Sequence, residues 1–149
     1  MRGGVIVVVL AVFACGSDPP WPLQIGLHDN ANNAFIPVAD NGMIPVVTGP
    51  NGLDMIVPSL RAEAVDPRTP SPTVTVTVDG ILMAADLAGA PTDMVADGAG
   101  YVLPNLNVPF QTKLCCFNCS LGHIEAKLED RSGQLFAGKL TVQLSRSGT

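Results

Sequence analysis

Thr73-Val74-Thr75-Val76-Thr77-Val78, closed by Asp79-Gly80, is the stretch that decides the fold class of this chain. Every residue in it is β-branched, so each side chain is stiff at χ1 and suits a pleated surface better than a helix. The period is two, which puts three valines on one face and three threonines on the other. Asp-Gly then supplies the backbone freedom for a turn. The pattern predicts a strand with Val74, Val76 and Val78 buried and Thr73, Thr75 and Thr77 more exposed.

The same period recurs on both sides. Leu23, Ile25 and Leu27 alternate with Gln24, Gly26 and His28. Ile56, Leu60, Ala62 and Ala64 fall on one face, with Ser59, Arg61 and Glu63 on the other. Ile124, Ala126 and Leu128 alternate with Glu125, Lys127 and Glu129. Phe136, Leu140, Val142 and Leu144 alternate with Ala137, Lys139, Thr141 and Gln143. Asp130-Arg131-Ser132-Gly133-Gln134 joins these last two runs and reads as a hairpin connection. No segment has convincing helical periodicity. Turn signals stand at Asn41-Gly42, Gly49-Pro50-Asn51-Gly52, Asp66-Pro67, Asp97-Gly98 and Pro104-Asn105. The expectation is an all-β chain, an immunoglobulin-like β-sandwich of about seven strands, with a closed barrel as the alternative. Half-apolar alternation gives each sheet one wet face. In the span Ile81 to Gly100, the run Ile81 to Ala88 reads as a helical turn or two or as a strand that continues past a bulge, and its Ala and Gly content and Pro91 favour irregular structure or a short helix at the sandwich end.

The amino terminus carries a different signal. Arg2 precedes the apolar run Val5 to Ala14, and Val12-Phe13-Ala14-Cys15-Gly16 follows the pattern of a small residue at a cut with cysteine just after it. The run is too short for a membrane-spanning helix, which needs about 20 residues. The reading is a bacterial lipoprotein signal: residues 1–14 form the signal peptide and Cys15 is lipidated. Residues 15–22 then form a Pro-containing tether, and residues 23–149 form the sandwich domain. An ordinary signal cleaved after Ala14, with Cys15 incidental, is the alternative. Gly rather than Asp at position 16 favours the outer membrane, with the protein lipid-anchored in the cell envelope.

Composition narrows the function classes. Charged residues are 14% and the net charge is −5, with no Lys/Arg cluster, so binding to nucleic acid through phosphates is not expected. There is equally no basic patch for anionic lipid. Fifteen glycines and thirteen prolines favour turns over long helices. Aromatic residues are 5% with Trp21 the single tryptophan, so no stacking platform for sugars or bases is visible.

The run Ile44-Pro45-Val46-Val47-Thr48-Gly49-Pro50-Asn51-Gly52, then Ser59-Leu60-Arg61-Ala62, and later Asp130 to Gly133, resembles a family of short uncharacterised bacterial lipoproteins. The resemblance covers most of the mature chain and departs from the family pattern at Leu53, where Gly is usual. It implies one immunoglobulin-like domain on a lipid anchor. It implies no activity.

One stretch could carry chemistry. Leu114-Cys115-Cys116-Phe117-Asn118-Cys119-Ser120-Leu121-Gly122-His123 holds three of the four cysteines and one of the two histidines. The favoured reading is a small disulfide, Cys116–Cys119 or Cys115–Cys119, in an oxidising compartment, leaving one cysteine unpaired within the chain. The alternative is a metal site of Cys116, Cys119 and His123, perhaps joined by Cys115, whose thiolate and imidazole ligands suit Zn²⁺ or Cu(I). Neighbours Cys115 and Cys116 point to opposite faces of a strand, which works against convergence. A thiol–disulfide enzyme would need a helix after Cys116-Phe117-Asn118-Cys119, and none is predicted.

His28 in Leu27-His28-Asp29-Asn30-Ala31-Asn32-Asn33 reads as a solvated loop, since the spacing does not match a calcium loop. His123 alternates outward from Ile124 as a surface residue. Asp93 and Asp97 read as turn formers. Neither Gly-x-Ser-x-Gly, His-Glu-x-x-His nor a phosphate-binding Gly-rich loop is present. The expected function is therefore non-enzymatic: a surface-anchored binding, assembly or structural module without cofactor. Its partners would be the membrane, through the lipid anchor, and an envelope protein. The alternative is a periplasmic metal or thiol protein using Cys115, Cys116, Cys119 and His123.

Overall fold

The computed structural model describes residues 18–85, 92–112 and 120–146. The threonine–valine run forms the strand β7 within Ser71–Val78, in the expected orientation. Val74, Val76 and Val78 are buried, while Thr73, Thr75 and Thr77 stay half-exposed. Burial of each valine side chain contributes about 1.5–3 kcal/mol of hydrophobic free energy.

The strands before it are β1 (Trp21–Pro22), β2 (Gln24–Asp29), β3 (Ala34–Pro37), β4 (Gly42–Thr48), β5 (Asp54–Ile56) and β6 (Ser59–Glu63). Those after it are β8 (Ile81–Ala84), β9 (Val95–Asp97), β10 (Gly100–Leu103), β11 (Val108–Pro109), β12 (Ser120–Glu129) and β13 (Leu135–Arg146). The described residues contain no helix and make two packed sheets. The larger runs β11-β5-β4-β13-β12-β7-β8, with β1 also along β13, and the smaller runs β3-β2-β6-β10-β9. Strands β4 and β1 run parallel to β13; the other pairs are antiparallel.

This is a β-sandwich. The order β2-β6-β10-β9 in one sheet and β13-β12-β7-β8 in the other matches the A-B-E-D and G-F-C-C′ order of an immunoglobulin-like arrangement. The strand number is thirteen among the described residues rather than about seven. The surplus comes from segments of two to four residues, such as β5 and β11, which extend one sheet edge, and β1, which lies along β13.

Inner-face residues of both sheets meet in one core. Val76 and Ile124 pair in register from the larger sheet, and Ile25 and Leu60 pair from the smaller. Phe136, Ile44, Ile56 and Phe110 are among its fully buried large side chains.

Two sequence expectations change, and at a third place the strand with a bulge holds over irregular structure or a short helix. Ile56 does not share a strand face with Leu60 and Ala62. Pro58 interrupts the run, so β5 joins the larger sheet and β6 the smaller. Ser59, placed on the polar face, is fully buried, and its hydroxyl accepts a hydrogen bond from the Asn105 backbone N–H at 2.9 Å. Ile81–Ala84 is a strand against β7, with a bulge between Val76 and Thr77, and Val95–Asp97 pairs with β10 through a turn at Gly98. Residues 86–91 of that span lie outside the described residues.

The amino-terminal segment changes sheets. Trp21 and Pro22, at the end of the stretch expected as tether, pair with Phe136 and Ala137, and Leu23 N–H donates to the Ala137 carbonyl at 3.0 Å. From Gln24 onward the chain pairs with β6 in the other sheet. Gly138 permits the crossing, because a Cβ at that position would collide with the Leu23 carbonyl oxygen.

Candidate functional site

The sheet change creates a cleft of about 520 Å³, lined by Trp21 and Pro22 from β1, Gln24 from β2, Arg61–Glu63 from β6, and Ala64. Trp21 forms its rim. Its indole packs edge-on against Phe136, with ring centroids 6.3 Å apart at 60°, and Phe136 is fully buried. The ring is thus anchored on Phe136 while the residue as a whole is 47% exposed. The sequence offered no stacking platform, since one tryptophan in a proline-rich segment carries no pattern. The fold makes one by pairing β1 with β13.

Arg61 organises the polar wall. Cross-strand pairing sets it beside Gln24 on one side and Val102 on the other. Its Nη1 donates to Gln24 Oε1 at 3.0 Å and to Glu63 Oε1 at 3.2 Å. Its Nε donates to Asp97 Oδ2 at 3.1 Å and its Nη2 to the Asp97 carbonyl at 3.3 Å. Val102 is buried although it stands outside the main core, on the face that Arg61 shares, which fits an arginine stem laid along apolar surface. Glu63 balances the one guanidinium among the lining residues, and Asp97, outside the lining, pairs with it as well, so the cation of the cleft is already committed. An anion would find little there. The Gln24 Nε2, the Trp21 Nε1 and the Glu63 Oε2 have no hydrogen-bond partner among the described residues.

The other polar groups hold the fold. Asp130 is buried at the β12–β13 hairpin. Its Oδ1 accepts from Ser132 N–H (2.9 Å), Ser132 Oγ (2.6 Å) and Gln134 N–H (3.0 Å), and its Oδ2 accepts from Asp66 N–H at 3.0 Å. Burial raises its pKa, but these hydrogen bonds together outweigh burial and hold the carboxyl below its ordinary value. Asp54, also buried, pairs with Arg146 near the end of β13. Arg68 pulls the half-buried Asp66 carboxyl down to about 2.

The residues singled out from the sequence fare differently. Cys15, Cys115, Cys116 and Cys119 lie outside the described residues. His123 is exposed on the outer face of β12, as expected, with Nδ1 3.2 Å from Thr141 Oγ1. Asp29 accepts from the N–H groups of Ala31 (2.9 Å) and Asn32 (3.2 Å) and from Asn32 Nδ2 at 2.6 Å, which lowers its pKa and ties the carboxylate into a turn. Asp93 accepts from the Thr69 N–H at 2.9 Å, while Asp97 serves Arg61. Among the described residues no group of His, Cys, Asp or Glu is arranged to hold a metal ion.

Sequence reasoning missed the cleft. Its one local signal is Arg61 and Glu63 at i and i+2, which must share a strand face. No known family model, curated protein or solved structure matches this chain.

Proposed function

We propose that this chain is a non-enzymatic envelope lipoprotein: a β-sandwich binding module held to a membrane, of outer-membrane type, through lipid on Cys15. The observation that carries the reading is the run Val5 to Ala14 followed by Cys15-Gly16. The likeness of Ile44–Gly52, Ser59–Ala62 and Asp130–Gly133 to short bacterial lipoproteins supports it. Trp21 follows Cys15 by six residues, a chain length that reaches at most about 20 Å when extended. The cleft would therefore work close to the anchoring surface, on a component of that envelope.

The test compares the full-length chain with its Cys15→Ala variant, both expressed in a bacterium with two membranes. The parent is expected in the membrane fraction with incorporated acyl label, and the variant in the soluble fraction without it. Unchanged partitioning of the Cys15→Ala form would refute the anchor.

A further inference from the structure

The free groups of the cleft are chemically particular. Gln24 turns its oxygen toward the Arg61 Nη1, which leaves its NH₂ as a double donor without a partner among the described residues. Glu63 gives one oxygen to the same Nη1 and keeps the other as a charged acceptor. Arg61 thereby holds a donor and an acceptor on neighbouring strands, below a half-exposed indole that is itself fixed on Phe136. The volume, about 520 Å³, lies within the range of small-molecule sites.

We infer that this cleft binds a neutral saccharide, with a pyranose ring stacked on Trp21 and adjacent hydroxyls held by Gln24 and Glu63. A sugar hydroxyl both donates and accepts, so a vicinal pair answers a carboxylate oxygen and an amide NH₂ at once. The C–H face of a pyranose carries a weak positive edge that suits the negative face of an indole. The one cation of the lining, Arg61, is committed to Gln24, Glu63 and Asp97, which disfavours phosphorylated or carboxylated sugars. A quaternary ammonium group is the other ligand an indole attracts, but a cage of several aromatic rings recognises it best, and among the described residues Trp21 is the one aromatic ring on the cleft wall.

The inference rests on the reading of the domain as a binding module, though not on its lipid anchor, so it is tested on purified protein. Trp21 is the only tryptophan, and its fluorescence therefore reports the cleft directly. The full chain, in a detergent without a sugar headgroup, is titrated with N,N′-diacetylchitobiose and with cellobiose, and separately with choline. At least one disaccharide is expected to shift the emission with a dissociation constant on the order of 1 mM. Gln24→Ala and Glu63→Ala are each expected to weaken that binding about tenfold, equivalent to the loss of one good hydrogen bond. Both side chains are on the surface, so the melting temperature should stay near the parent's. Glu63→Gln keeps an acceptor oxygen and should retain most of the affinity. No spectral response to either disaccharide overturns the inference. A response indifferent to Gln24→Ala and Glu63→Ala also overturns it, as does a choline response abolished by Glu63→Gln, which marks a cation site. None of these outcomes depends on whether Cys15 carries lipid.

Discussion

Removing the Asp130 carboxylate should destabilise the domain by about 3 kcal/mol and lessen its sensitivity to acid. Asp130 is 6% exposed and accepts four hydrogen bonds, three of them from backbone N–H groups. Bonds to a charged acceptor contribute roughly 1.5–3 kcal/mol each before relaxation. The N–H groups of Ser132 and Gln134 lie in a surface hairpin and can be rehydrated in the variant. The Asp66 bond is the costlier loss, because it ties the segment after β6 to the hairpin across 64 residues of sequence. A net of about 2–4 kcal/mol follows, against a typical total of about 5–15. For a domain of this size, that lowers Tm by about 10 °C. Asp130→Asn is an instructive second variant, since its amide NH₂ would face the Asp66 N–H, donor against donor.

The pH dependence has a definite sign. The folded-state pKa of Asp130 lies below its ordinary value of 3.8. Its stabilisation is therefore present above that ordinary value and is lost as pH falls through the lower folded-state value. Urea unfolding followed by circular dichroism, at pH 7 and again near pH 3, measures both effects. Asp130→Ala should lose less stability on acidification than the parent. A cost under about 0.5 kcal/mol at pH 7, or an unchanged loss between the two pH values, would refute the reasoning.

Three further outcomes are expected. Val76→Asp puts an unpaired carboxylate at a fully buried position between the sheets, so the variant should lose the cooperative melt seen by circular dichroism; a melting point within a few degrees of the parent would contradict the core described above. Gly138→Ala drives a Cβ into the Leu23 carbonyl, so β1 should detach from β13, with a lowered melting point and a red-shifted Trp21 emission, whereas unchanged emission would mean that the crossing is not tight. Replacing Cys116 and Cys119 with Ser should remove a disulfide detectable by intact mass and thiol counting, with a modest loss of stability because the closed loop is short; about one Zn²⁺ or Cu(I) per reduced chain, weakened by His123→Ala, would instead make the metal reading the leading one.

Local chemistry made part of this protein legible from residue order alone. The alternation in Thr73–Val78 determined both the strand and its buried face, because side-chain direction in a strand follows from position i and i+2 without reference to any partner. The Asp130–Gln134 connection was equally readable. Its polar residues bond within their own turn and Gly133 takes a positive φ of 85°, all inside five residues. Pairing is another matter. Nothing in Met55–Leu60 announces that Pro58 sends its two flanks into different sheets, since a single residue of slip changes which face is buried and only the competing packing of both sheets selects one answer. Ser59 looked polar and outward, yet the 104–105 turn folds over it and satisfies its hydroxyl in the interior. The cleft is the clearest case. Trp21, Gln24 and Arg61 are separated by up to 40 positions and share no motif. They meet because β1 pairs with the start of β13 while β2, two residues later, pairs with β6. Residue order set the strands and their faces; the choice of strand neighbours, a property of the whole packed sandwich, built the site.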